Sequence, residues 1–224
     1  MPGIEIAILP ELLEKCPRLQ IGCLSAGVAV EPSSPGLIRE TEQACDHISR
    51  SLEIDAVSSL PHVRSTREAY KATGKKPGRY RPSAEALLRR VLSGKGLYYI
   101  NNVVDVINLC SITTQYSIGG YDADHIRGKV TMGIGRGGEP YEAIARGPLN
   151  IAGLPVLRDK LGAFGSPTSD SVRTMVRNDT SYLFLAFFNF AGHERLEEAL
   201  QQAAGLLATH CRGKNTEIWL LSNS

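Results

Sequence analysis

The run "YLFLAFFNFAG", from Tyr182, is the longest apolar stretch in the chain. A membrane-spanning helix needs about 20 apolar residues. This run falls far short, so it reads as a buried strand that the rest of the chain must cover. Other strand-like runs are Ile4 to Ile8, Leu19 to Val30, Lys129 to Met132, Pro155 to Leu157 and Thr216 to Leu221. Helical spacing occurs in Glu11 to Lys15, Leu37 to Leu52 and Val104 to Thr114. It is strongest in His193 to His210, where Leu196, Ala199, Leu200, Ala203, Ala204 and Leu207 share one face. A short helix opens at Ser83, a good N-cap, and is closed by Gly94. Its apolar stripe, Leu87, Leu88, Val91 and Leu92, leaves Arg89 and Arg90 toward the wet side. Strands and helices mix without a steady βαβ rhythm, so the predicted class is α+β, mixed sheets with packed helices, rather than a doubly wound parallel sheet.

With 224 residues, 42% of them hydrophobic, the chain is expected to form a single domain over residues 1–224. The start, "MPGIEIAILPELLEK", has no basic segment and no sustained apolar run, so no signal peptide is expected. Five cysteines (Cys16, Cys23, Cys45, Cys110 and Cys211) are odd in number and lack a C-x-x-C pair. That argues against a disulfide framework and a thiolate zinc site, and for a reducing, cytoplasmic setting. The histidines show no i, i+4 pairing, and neither a metal nor another cofactor is expected. "GIGRGG", Gly133 to Gly138, formally matches a dinucleotide fingerprint, with Asp159 suitably placed beyond it. Glu139-Pro140 follows where a long helix would have to begin, so a tight loop is the better reading. Trp219 reads as core, and nothing assigns Arg158 or Arg173 to a pocket or to the fold.

The net charge of +2 is unevenly spread. Between Arg67 and Lys95, nine cations face only Glu68 and Glu85, a local excess of +7 that leaves −5 for the remainder. A solvated basic face, with some arginines fixing loops, accounts for this. The same asymmetry is what a phosphate-facing surface looks like, with Tyr70 and Tyr80 available to stack or to hydrogen-bond. Asp105 and Asn108, at i, i+3, share a helix face, where they tie neighbouring loops or line a pocket.

Residues 70 to 111, "YKATGKKPGRYRPSAEALLRRVLSGKGLYYINNVVDVINLCS", followed by "YSIGGYD" and "RGGE", resemble a known family. It is the B3/B4 tRNA-binding and editing domain of the phenylalanyl-tRNA synthetase beta subunit, and above all the free-standing proteins built on it. The most specific matches are Arg81-Pro82-Ser83 with Glu85-Ala86-Leu87, Asn101 with Val104-Asp105 and Asn108, and Tyr121-Asp122. "FGSPTSDSV" and "NDTSYLFLAFF" match more weakly, and the resemblance runs from Arg67 to Phe190. It implies a module that receives the aminoacylated end of tRNA and hydrolyses the ester when the wrong amino acid is attached. Amino-acid activation is not expected, because H-I-G-H, K-M-S-K-S and Walker A signatures are absent. Two positions depart from the pattern: Gly119 stands where the synthetase domain typically has a histidine, and Pro167 where it has a tyrosine-reading glutamate. The pocket implied by the resemblance therefore has Thr168, Ser169, Asp170 and Thr180 as its polar groups, with Asn108, Gly119, Asp122 and Gly138 around them.

Ester hydrolysis there needs a seat for the side chain, an acceptor for the α-amine, donors toward the oxyanion and a positioned water. Asp170 or Asp122 would hold the amine; N–H groups of the Gly165 to Ser169 turn or the Gly133 to Gly138 loop would meet the oxyanion. Ser169 or Ser171 is a poorer nucleophile, since only His193, His125 or a more distant histidine could be brought in by folding. A hydroxyl-rich turn satisfying its own backbone accounts for "SPTSDS" equally well. Lys75, Lys76, Arg79 and Arg90 would meet the acceptor-end phosphates of tRNA. The expectation is a deacylase acting in trans on mischarged aminoacyl-tRNA. The alternatives are a non-catalytic module binding tRNA or a small amino-acid-like ligand, and a protein adaptor with Arg81 and Arg89 as internal ties.

Overall fold

The computed structural model describes residues 4–192 and 195–222. Its first elements are β1 (Ile6–Ile8), α1 (Pro10–Lys15), β2 (Gln20–Gly27), α2 (Pro35–Ser51), α3 (Pro61–Ala72), α4 (Ser83–Leu92) and α5 (Asn102–Thr114). There follow β3 (Ser117–Asp122), β4 (Val130–Ile134), β5 (Glu142–Ala143), β6 (Gly147–Pro148), β7 (Pro155–Asp159), β8 (Gly162–Gly165), β9 (Tyr182–Asn189), α6 (Leu196–His210) and β10 (Lys214–Ser222).

The expected buried strand is β9, which lies inside a sheet of order β10-β2-β9-β3, antiparallel to both neighbours. Its side chains alternate between two cores. Leu183, Leu185 and Phe187 pack with Val103, Val106, Leu200 and Leu207 of α5 and α6. Phe184, Ala186 and Phe188 pack with Met132, Leu157 and Phe164 of a second sheet, of order β1-β4-β7-β8. Burial on both faces is why this run is apolar throughout rather than alternating. The layers are therefore helices, sheet, sheet, which is the expected α+β class. Trp219, on the outer strand β10, stacks on Phe184 with ring centroids 6.0 Å apart. Among the described residues no helix is long and apolar enough to cross a membrane.

Local chemistry sets the helix ends. Ser34 Oγ accepts the Leu37 N–H at 3.2 Å, and Pro35 occupies the first turn of α2, where its missing N–H costs nothing. The apolar spacing of α5 starts at Val104, but the helix begins at Asn102 because the Asn101 side chain caps it, accepting the Val104 N–H at 2.9 Å. Ser83 does not cap α4: Pro82 holds that position without a side-chain cap, and the Ser83 N–H donates to Pro167 O at 2.8 Å. Gly94 does close α4, at φ 73°. His193, the expected start of α6, lies outside the described residues. No regular apolar spacing marks α3 in the sequence, because its buried stripe of Val63, Thr66, Ala69 and Tyr70 is half polar. Asp105 ties loops, accepting from Ser33 Oγ at 2.5 Å and from the Ile100 N–H at 2.9 Å.

Candidate functional site

β3 is an edge strand, and two elements cover its open side. The first is the start of α4, where the Ala84 N–H donates to Ser117 Oγ at 3.4 Å. The second is the turn after β8, where Asp170 Oδ2 accepts the Gly120 N–H at 3.2 Å. This arrangement gathers Gly119, Thr168, Ser169 and Asp170, four of the positions the sequence singled out.

The turn is held by its own hydroxyls. Ser166 Oγ accepts the N–H groups of Thr168 and Ser169 at 3.3 and 3.1 Å and donates to Ser169 O at 2.9 Å. Tyr141 donates its hydroxyl to the same carbonyl at 2.6 Å, and Thr168 Oγ1 is 2.8 Å from Tyr70 Oη. Two N–H groups expected to meet an oxyanion are thus already engaged. Tyr70, expected to be available on a phosphate-facing surface to stack or to hydrogen-bond, is instead fully buried.

Tyr121 fills the recess. It lies two residues from Gly119 on the same face of β3, and its ring folds back over both Gly119 and Gly165. A Cβ at Gly119 would fall 1.8 Å from Tyr121 Oη, and one at Gly165 would fall 2.2 Å from it. The ring packs edge-on against Phe164, with centroids 5.0 Å apart. Tyr121 therefore occupies the space over residue 119, into which a longer side chain would have to project. Its hydroxyl lies beside the Asp170 carboxylate. Neither Tyr121 Oη nor Asp170 Oδ1 makes a well-formed hydrogen bond among the described residues. Burial pushes the Asp170 carboxyl up to about 7, against the pull of its hydrogen bonds. Burial, together with the Asp170 charge, also holds the Tyr121 phenol protonated.

The other expected pocket residues lie elsewhere. Thr180 donates its hydroxyl to Asp122 Oδ2 at 2.7 Å, and His125 Nδ1 is 3.2 Å from the same oxygen, so Asp122 is engaged in fastening the end of β3. Asn108 is half-buried on α5, in the helical layer, and does not join the cluster. Gly138 lies in an exposed turn at φ 72°, with nothing within 4 Å of an added Cβ. The "GIGRGG" run passes from the end of β4 into a loop, as expected, and at Gly135 the reason for glycine is close packing: a Cβ there would fall 2.0 Å from Ile151 O. The short strand β5, not a helix, is the next element after β4. Arg158 is bound by Glu139 at 2.5 and 2.6 Å, and Arg173 by Asp159 at 2.8 and 3.0 Å, so both serve the fold.

The basic segment divides in a way its charge count does not show. Lys75 is not a phosphate contact: it is 7% exposed, and its ammonium donates to Asn150 O at 2.6 Å and Ala152 O at 2.7 Å. The ammonium also sits 3.8 Å from the centroid of the Tyr80 ring. Arg89 is not turned to water either. It and Arg67 grip buried Glu85, at 3.0 and 2.9 Å. Lys71, Lys76, Arg79, Arg81 and Lys95 remain exposed. Arg90 lies over Tyr98, 3.6 Å from the ring centroid, and donates to its hydroxyl at 2.9 Å. Tyr98, Tyr99 and Ile100 are all exposed, Ile100 at 64%. The one sequence signal of this aromatic segment is three consecutive large apolar residues outside any helical or strand period, which singles it out only once its exposure is known. α4, about 15 Å long, has the filled recess at its start and this segment beyond its end.

A family model of the B3/4 domain matches residues 65–212. One similar solved structure is an N-terminal fragment of the phenylalanyl-tRNA synthetase beta-subunit from Pyrococcus horikoshii, at 12% identity and a TM-score of 0.49. The match covers 99% of this chain and 55% of that one, so the chain spans about half the length of the fragment. No curated protein matches the chain. The family match takes in well over half of the residues, including the β3 edge, the turn and the basic segment: the chain belongs to the B3/4 domain family.

Proposed function

We propose that this B3/4 domain binds the acceptor end of tRNA without hydrolysing an aminoacyl ester. The observation that carries this reading is Tyr121, whose ring fills the recess over Gly119 and Gly165 in which the ester's amino acid would have to sit. The surface around α4 supports the nucleic-acid partner. Lys76, Arg79 and Arg81 are exposed before its start, and Arg90 with Tyr98 and Tyr99 offers a cation and aromatic faces beyond its end. Phosphate neutralisation joined to base stacking is how proteins hold single-stranded ends.

If Lys76, Arg79 and Arg81 meet phosphates, replacing all three with Gln should reduce the slope of log affinity against log salt by about 2–3. Lys75→Met should leave that slope unchanged and lower the melting temperature instead, because its ammonium bonds the domain's own carbonyls. An unchanged slope in the triple variant removes this surface from the proposal.

One observation favours a second reading, trans-editing hydrolysis of mischarged tRNA. Asp170 is half-buried, with Oδ1 shut off from water, and burial pushes its carboxyl up to about 7 beside the recess, which suits it to accepting an α-amine or holding a water. That reading requires Tyr121 to swing out. Deacylation of a panel of mischarged tRNAs separates the two, with Asp170→Ala assayed in parallel. Salt-dependent binding with no hydrolysis above the blank is the expected result. Selective hydrolysis of one aminoacyl ester, lost in the variant, would overturn it and establish a deacylase.

A further inference from the structure

A second recess lies on the opposite side of the main sheet. Tyr116, in the link between α5 and β3, packs with the helical core, whereas Tyr121 on β3 packs with the inter-sheet core. Beside Tyr116 opens a cleft of about 750 Å³ where three helix ends meet. They are the start of α3 at Leu60 to His62, the end of α5 at Thr113 to Gln115, and the start of α6 at Arg195.

Two independent features of this cleft point to a ligand. Tyr116 is 1% exposed, and its hydroxyl has no hydrogen-bond partner among the described residues. The ring cannot easily turn to find one, being packed at a tilt against His62, with centroids 3.9 Å apart, and edge-on against Phe187. Such an orphaned hydroxyl costs about 1–3 kcal/mol. Burial raises the phenol to about 12, against the pull of the Arg195 charge, so it remains a donor at neutral pH. The second feature is that both α3 and α6 begin at the cleft with no side-chain cap among the described residues, which leaves first-turn N–H groups along its wall, although Glu197 and Glu198 stand in the first turn of α6. The Arg195 side chain is 81% exposed and held by Glu198 at 3.0 Å.

We propose that this cleft binds the anionic group, carboxylate or phosphate, of a small organic molecule. Arg195 and the two helix starts take the charge, the Tyr116 hydroxyl donates to it, and the apolar part lies against Leu60 and Pro61. Glu198 is the built-in competitor, because the anion must draw Arg195 away from it. The site shares no residue with the filled recess or with the α4 surface, so it stands or falls apart from the tRNA reading.

The test is titration of the whole chain with sodium phosphate and, separately, sodium acetate at constant ionic strength, followed through backbone amide shifts. Saturable shifts confined to Tyr116 and the first turns of α3 and α6 are expected for at least one of the ions. Preference for phosphate would identify a phosphate monoester as the ligand class, and preference for acetate a carboxylate. Tyr116→Phe and Arg195→Ala should each weaken the constant by about fivefold or more, while Glu198→Gln should tighten it. The Tyr116→Phe and Glu198→Gln variants are near-isosteric, and unchanged spectra elsewhere establish that they fold. No saturable shift with either ion, an unchanged constant in both weakening variants, or looser binding in Glu198→Gln would overturn the proposal.

Discussion

Gly119→Ala is expected to destabilise the domain by about 3–5 kcal/mol, as much as removing a buried aromatic outright. The added methyl would fall 1.8 Å from Tyr121 Oη and 2.4 Å from Cζ. The ring has no room to tilt: it is fully buried, with Phe164 and Phe184 around it at centroid distances of 5.0 and 5.9 Å. It must leave the core or displace β3. Urea denaturation measures the loss, and a double variant isolates its cause. Tyr121→Ala alone should cost a similar amount, but Gly119→Ala added to it should cost little more, because the clash has gone. A Gly119→Ala protein within about 0.5 kcal/mol of the parent would mean that the ring moves aside readily. That outcome would reopen the recess and favour the hydrolytic reading.

Asp170→Asn should stabilise the protein, and increasingly so as the pH rises. In the folded chain the carboxyl titrates at about 7 against an ordinary value of 3.8, so the folded state holds the proton more tightly than the unfolded state does. The parent therefore loses stability as the pH climbs from the ordinary value toward about 7, and the loss levels off above that. Asparagine keeps the shape and an acceptor for the Gly120 N–H, and it never ionises. Its advantage over the parent should grow by about 2 kcal/mol between pH 5.5 and pH 8, roughly 4–8 °C in melting temperature. Thermal melts at the two pH values measure it. An advantage that does not grow would mean that the ionised carboxylate is compensated in the folded state, and that the acid is not poised near neutrality.

The position of β9 was legible because a run buried on both faces needs no alternation to be recognised, and α2 and α6 carry regular apolar stripes. β3 was not read as a strand, because Gly119 and Gly120 erase the alternation that would mark it; Gly120 has no side chain because Ile107 of α5 occupies that space. The candidate cluster was legible in part. Resemblance to the family grouped Gly119, Thr168, Ser169 and Asp170, and the fold does bring them together. Asn108, grouped with them by the same resemblance, lies in the helical layer.

What the sequence determined alone is the material of the domain: an α+β class, a central apolar strand, a basic segment and a hydroxyl-rich turn. Only the tertiary structure decided what those parts do. Whether a cation faces water depends on which carbonyls or acids approach it, and those that hold Lys75 are 75 and 77 residues away. Whether a glycine opens a recess depends on which ring enters the space, and at Gly119 the ring of Tyr121 is held there by Phe164 of the other sheet. Local spacing reports the face on which a side chain emerges. Its burial and its partners are set by segments far along the chain, and no local pattern records which of these will arrive.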